Sequence, residues 1–236
     1  MFKTVRKKRK FEVIIDQIKD LLVQKKIKVG QKMPSEVKLA ESLEVSRSSL
    51  REALKILSFL GMLESKTGEG TIIKEANTDN LSSLMSLIAV SKGLDTSELY
   101  ELRVILEINA ASLAAKRHST EDLEEIKKYL MGMSRVGIDK ETQAEYDHSF
   151  HMAISRASKN EMLVMVMGLI SGLLQEQIKE TRYKLSEDIS TIERFHNEHW
   201  NIYTAIKDCD AAKAHTETLN HLTRAQQDLG IQFKNE

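Results

Sequence analysis

Asp147 and His151 stand four residues apart, the spacing that turns two side chains to the same side of a helix. One hard oxygen and one imidazole then converge on a point. A divalent ion held there needs further ligands from other helices. His199 and His221 are placed to supply them, on two predicted helices joined by a short link at 208–210. Their separation of 22 residues lets one imidazole from each antiparallel helix meet at the same level. An Asp-His-His-His set with open positions would hold Zn²⁺, Ni²⁺ or Mn²⁺ and leave room for a ligand carboxylate. Spacing alone does not choose among the histidines. His148 or His196 could stand in for a ligand, since His196 and His199 are i,i+3. His118 and His215 read as surface residues.

A second constellation runs Ser46-Arg47-Ser48-Ser49-Leu50-Arg51-Glu52-Ala53-Leu54-Lys55. Leu50, Ala53, Leu54 and Leu57 share one helical face, while Arg47 and Arg51 share another with Ser48 and Lys55 near them. Two guanidiniums, small hydroxyls and free backbone N–H groups at a helix start suit phosphate oxygens and the acceptor pair of guanine in the major groove.

The elements that must position these groups fall into two parts. In residues 1–76 the periodicity predicts three helices and a β-hairpin. Phe11, Ile14, Ile15, Ile18, Leu21 and Leu22 recur at helical spacing, and Gly30 closes that region. Pro34-Ser35-Glu36 starts a second helix and Ser46 caps a third, which stops at Gly61. Thr67-Gly68-Glu69-Gly70 then forms a tip between β-capable segments at Met62–Ser65 and Thr71–Ile73. Residues 77–236 carry seven helical patterns, Leu81–Val90, Ser97–Lys116, Thr120–Met133, Thr142–Ser158, Glu161–Thr181, Ile189–Lys207 and Ala211–Leu229, with Ser119 to Asp122 and Asp210 as caps.

Composition agrees with helix and limits function. A single Pro and ten Gly in 236 residues leave little material for an all-β turn inventory. The lone Cys209 excludes a disulfide framework and any cysteine-rich zinc module, and fits a reducing compartment. The longest uncharged apolar stretch, Met162 to Leu174, has 13 residues where a bilayer span takes roughly 20. Charge interrupts Phe11 to Asp20, so no secretory signal is expected, and a soluble cytoplasmic protein without membrane partners is. The balance of 35 basic and 35 acidic residues hides an asymmetry. Residues 1–76 have 17 Lys/Arg against 10 Asp/Glu, whereas 77–236 have 18 against 25 and all seven histidines. The first part is built for a polyanion, the second for something that His and carboxylates can hold.

The run Lys28-Val29-Gly30-Gln31-Lys32-Met33-Pro34-Ser35-Glu36, followed by Leu39-Ala40, Val45-Ser46-Arg47, Leu50-Arg51-Glu52-Ala53-Leu54, Leu60-Gly61-Met62-Leu63-Glu64 and Gly68-Glu69-Gly70-Thr71, closely resembles the winged helix-turn-helix of the GntR family of bacterial transcription regulators. The second part resembles the FadR/FCD type of that family at Glu101-Leu102-Arg103, Leu106-Glu107, Asp147-His148-Ser149-Phe150-His151, Ser158, Asn160, His199 and His221. The extra helix before Arg103 is similar to the seven-helix subgroup. The resemblance implies a mainly α chain, with a winged DNA-binding domain at 1–76 and an all-helical effector-binding and dimerisation bundle at 77–236. It implies DNA contacts from Arg47 and Arg51, phosphate contacts from Ser46 and Ser48 beside Ser35, and a wing at Thr67 and Gly68 entering the minor groove. It favours Asp147, His151, His199 and His221 as metal ligands, and Arg103 facing the same cavity to grip a carboxylate. An i,i+4 bridge from Arg103 to Glu107 is the competing reading. One departure stands out: the family usually places an Arg where this chain has Val37.

The combined expectation is a homodimeric, ligand-responsive transcription regulator, a repressor rather than an activator, reading a two-fold double-stranded operator and sensing a small organic acid such as lactate, pyruvate or a sugar acid. The alternative is a regulator for which the metal ion is itself the signal. A hydrolytic metal enzyme is the third reading, but no motif nominates its general base, and the DNA-binding half would have no use.

Overall fold

The structure is a computed structural model and describes residues 8–66, 70–77, 79–135, 137–185 and 189–232. Two compact units divide at Leu81/Ser82.

The first unit opens with α1 (Lys10–Val23), α2 (Glu36–Ser42) and α3 (Arg47–Phe59). Ser35 caps α2 by accepting the Lys38 amide at 3.4 Å, and Ser46 caps α3 by accepting the Ser49 amide at 3.3 Å. Between them Glu44 takes a left-handed φ of 52°, which turns the chain within three residues. After α3, Gly61 has φ 70°, a left-handed conformation that favours glycine, and a Cβ there would press on Asn77 at 3.0 Å. Strands β1 (Leu63–Lys66) and β2 (Gly70–Ile73) pair antiparallel, with Leu63 opposite Ile73. A third extended segment joins them: the Met33 amide donates to Thr71 O and the Ile73 amide to Gln31 O, around the Lys32–Ile72 bridge. The helices close over Ile14, Ile18, Ala40, Leu50, Ala53, Leu57, Leu63 and Ile73, the apolar stripes of the sequence.

The second unit is an all-helical bundle of α4 (Asp79–Lys92), α5 (Thr96–Arg117), α6 (Thr120–Met133), α7 (Lys140–Ala157), α8 (Glu161–Leu185), α9 (Ile189–Lys207) and α10 (Ala211–Asp228). Helix α5 packs against α7, α8, α9 and α10. Its buried Ala110, Ala111, Ala114 and Ala115 present a flat surface that permits this close approach. The core joins the last three of these to Ile126, Leu130, Phe150, Ala153, Ile202, Ala205, Ile206 and Ala214. Helix α7 starts two residues before its predicted limit because Asp139 caps it, accepting the Thr142 amide at 2.8 Å. Five bundle helices, α5, α6, α7, α9 and α10, thus present side chains to a common interior.

Candidate metal centre and nucleic-acid interface

Asp147 and His151 project from α7, His199 from α9 and His221 from α10, and each is at most 5% exposed. One ring nitrogen from each histidine lies within 4.8 Å of those of the other two. Asp147 joins them, Oδ1 being 3.1 Å from His199 Nε2 and Oδ2 3.9 Å from His151 Nε2. The opposite nitrogens are tied to acceptors. His151 Nδ1 lies 2.6 Å from Glu107 Oε2, His199 Nδ1 2.7 Å from Phe195 O and His221 Nδ1 2.9 Å from Glu198 Oε2. Each acceptor is placed to take a proton from Nδ1, the arrangement by which a metal-ligating histidine is oriented with Nε2 towards the interior. Burial, and then the neighbouring His199, push the His221 imidazolium down to about 3 despite the Glu198 hydrogen bond, so this ring is neutral at physiological pH.

Two carboxylates that sequence spacing does not pair with the histidines stand behind them. Glu107, buried, takes His151 on one oxygen and Arg103 Nε at 2.5 Å on the other. Burial alone would raise its pKa, yet Arg103 and His151 hold it well below the usual carboxylate range. Glu198 accepts His221 on one oxygen and Arg224 at 2.9 Å on the other, and these outweigh burial in the same direction. Nothing in their spacing ties either residue to a histidine, because each partner histidine comes from another helix.

Arg103 forms the i,i+4 pair through Nε, and its guanidinium stands 5.7 Å over the Tyr100 ring. Burial disfavours its charge, but Glu107 more than compensates. The alternative histidines lie elsewhere. His196 Nε2 accepts Trp200 Nε1–H at 3.0 Å, and His118 Nδ1 lies 2.9 Å from Ala114 O at the end of α5. His148 is half-buried outside the triad, its pKa lowered mainly by burial and then by His151.

In the first unit the start of α3 gathers Ser46, Ser48 and Ser49, whose hydroxyls lie 2.9–3.0 Å from Ser46 Oγ. Arg47 and Arg51 are both exposed on this helix. Arg51 Nε donates to Glu36 Oε2 at 2.8 Å, tying α3 to the first residue of α2. Val37, where the resemblance leads one to expect a cation, is 39% exposed. Lys8, two residues ahead of α1, pairs with Asp16 at 2.6 Å. The wing residues Thr67 and Gly68 lie outside the described residues.

A capped helix-turn-helix with a hairpin, followed by a helical bundle with a buried histidine cluster, defines a class of two-part DNA-binding regulators. Residues 10–73 match the bacterial regulatory proteins of the gntR family and residues 98–224 match the FCD domain. This chain belongs to the GntR family, in its FadR/FCD subfamily, and is a transcription regulator rather than an enzyme. It is 39% identical to the HTH-type transcriptional regulator LutR of Bacillus subtilis over 88% of this chain and 95% of that one. It is 29% identical to the putative L-lactate dehydrogenase operon regulatory protein of Escherichia coli, covering 92% and 84%, and 29% identical to that organism's Glc operon transcriptional activator, covering 83% and 79%. A solved GntR structure from Streptococcus agalactiae superposes with a TM-score of 0.70 at 27% identity, over 92% of this chain and 99% of that one. Among the described residues no helix is long and apolar enough to cross a membrane.

Proposed function

We propose that this regulator binds a two-fold operator as a homodimer, each winged head reading one half-site, and that it represses until a small hydroxy- or keto-carboxylate enters a metal centre in its helical domain. The observation that carries the reading is the convergence of three imidazoles, each held from behind by an acceptor, beside the Asp147 carboxylate. His151 Nε2 is buried without a hydrogen-bond partner among the described residues, a costly arrangement for a polar atom that a cation would relieve. Three nitrogens and one oxygen suit Zn²⁺, Ni²⁺ or Mn²⁺.

Asp147, His151, His199 and His221 would hold the ion, which when bound supplies a Lewis-acidic anchor for a carboxylate oxygen. Arg103 offers the second grip, since with Nε on Glu107 its terminal nitrogens form the edge suited to a carboxylate. The name of one relative, the putative L-lactate dehydrogenase operon regulatory protein, supports a 2-hydroxy acid as effector class. The acid acts by differential affinity for two conformations of the dimer, since equal affinity would shift nothing.

The test is a thermal melt of the full chain with Zn²⁺, Ni²⁺ or Mn²⁺ and a panel including L-lactate, pyruvate and gluconate, repeated after chelation. A ligand at ~100 times its dissociation constant adds about 2.7 kcal/mol, a visible shift. An acid-specific shift that chelation removes supports the proposal. A shift from the metal alone, with operator binding following free metal and no acid adding to it, would make the ion the signal instead. Operator release or capture on adding the acid gives the sign, and capture would make the protein an activator, as one relative is named.

A further inference from the structure

We propose that Thr218 reads the oxygen at C2 of the bound acid, so that the helical unit separates 2-hydroxy and 2-keto acids from acids bare at that carbon. The inference rests on the proposed acid site and deepens it, naming the group that selects among small carboxylates.

Thr218 carries a buried hydroxyl that the described residues leave unpaired. The residue is 2% exposed, and its Oγ1 has no hydrogen-bond partner among them. A helical threonine or serine commonly turns its hydroxyl back onto the carbonyl four residues earlier. Thr216 does so on Ala212 O at 3.0 Å, and Ser155 on His151 O at 3.0 Å. Thr218 does not make that bond to Ala214 O. A buried hydroxyl without a partner opposes folding, so its place is accounted for by a ligand that completes it.

Its position in the bundle puts it beside the groups that would grip an acid. Ala214 shares a core with Ala111, Ala114 and Ala115 in the second half of α5, while Tyr100, near the start of α5, donates to Leu222 O at 2.8 Å. Helices α5 and α10 therefore run antiparallel, and Thr218, one turn from each of these ties, faces the middle of α5. That stretch carries Arg103 and Glu107 on its buried side. His221 follows Thr218 at i,i+3 on the buried face of α10, its ring stacked against His151 at 5.5 Å between centroids. A threonine hydroxyl both donates and accepts, so it matches either a 2-keto oxygen or a 2-hydroxyl. An acid bare at C2 leaves Oγ1 buried and unpaired, which disfavours that acid.

Full-length wild type, Thr218→Val and Thr218→Ser are melted without metal, then loaded with Zn²⁺ and titrated calorimetrically. The titrants are L-lactate, pyruvate and gluconate, each with an oxygen at C2, and propionate, which has none. Zinc affinity is measured alongside by competition with a chromophoric chelator. Valine keeps the shape and removes the hydroxyl, so metal-free Thr218→Val is expected to melt at or above wild type. It should bind the C2-oxygenated acids that wild type binds roughly 2- to 13-fold more weakly, with propionate and zinc affinities unchanged. Thr218→Ser retains the wild-type preference. A lowered metal-free melting temperature in Thr218→Val, or its failure to fold, makes the hydroxyl structural and overturns the proposal. Wild-type affinity for the oxygenated acids, an equal loss on propionate, or a loss of zinc affinity overturns it too, and each leaves the acid site itself standing. A wild type that binds none of the four acids removes the effector reading and this inference with it.

Discussion

Replacing Glu107 with Gln removes a negative charge from a side chain that is 4% exposed and faces two donors, Arg103 Nε at 2.5 Å and His151 Nδ1 at 2.6 Å. The side-chain shape survives but the counter-charge does not, so Arg103, 12% exposed, is left uncompensated in the bundle. Breaking one partner out of a buried pair costs about 3–5 kcal/mol, a large share of the 5–15 kcal/mol that holds a typical domain. At about 2–4 °C per kcal/mol for a protein of this size, the metal-free melting temperature falls by roughly 6–20 °C. The His151 ring also loses its orienting acceptor, which should weaken zinc binding by about 10- to 100-fold. Circular dichroism melts and competition against a chromophoric chelator measure the two effects separately. A double variant, Arg103→Leu with Glu107→Leu, removes both charges and leaves His151 Nδ1 as the group without an acceptor, worth about 1–3 kcal/mol. Most of the stability should then return while zinc affinity stays low. A Glu107→Gln protein that melts within 2 °C of wild type and binds zinc equally well would refute the account of Glu107 as both counter-ion and ligand support.

Three further outcomes are expected. Gly132→Ala places a Cβ about 2.5 Å from the Tyr146 ring where α6 meets α7, and overpacking there should cost about 1–3 kcal/mol in a urea titration. Asp122 accepts the Ser119 amide at 2.7 Å and Lys159 Nζ at 2.7 Å, and these partners hold its pKa below the usual value against the effect of burial. A depressed folded value means stability present above the ordinary carboxylate range and lost as pH falls through it. Asp122→Asn should therefore be less stable near neutral pH, and its deficit should close in acid; a pH-independent difference would contradict this. Leu50→Ala, at a fully buried position under α3, should cost about 2–5 kcal/mol and weaken operator binding as the head unfolds, read by a melt of the first unit's signal.

Much of the fold was legible because its signals are local. The limits of α6 and α9 match the apolar periodicity residue for residue, and Ser35, Ser46, Ser119 and Asp210 cap the helices they precede. Helix α8 runs on to Leu185, past the predicted Thr181, since no Gly or Pro stops it there. The segment at Gln31–Met33 gave no strand signal, because it pairs through one edge only and buries no alternating face. For the candidate centre, Asp147 and His151 announce themselves by i,i+4 spacing, whereas the choice between His196 and His199 depends on a tertiary fact, the burial of the α9 face that carries His199, while His196 accepts Trp200 one turn along the same helix. Glu107 and Glu198 were illegible for the same reason: their roles are set by helix packing. Glu107 announces only its helical neighbour Arg103.

Each carboxylate behind the cluster has a guanidinium on its far oxygen, Arg103 for Glu107 and Arg224 for Glu198. Seen from the interior, these pairs cancel, and since a histidine that ligates a metal is neutral, the inner ligands of a bound ion would carry the single negative charge of Asp147. A doubly charged ion placed there leaves one positive charge in excess. One monoanion neutralises it, while a dianion leaves a surplus negative charge in a site shielded from water, where an unpaired charge is costly. Under the proposed reading the centre would rank acids by valence before shape, with monocarboxylates ahead of dicarboxylates of similar size.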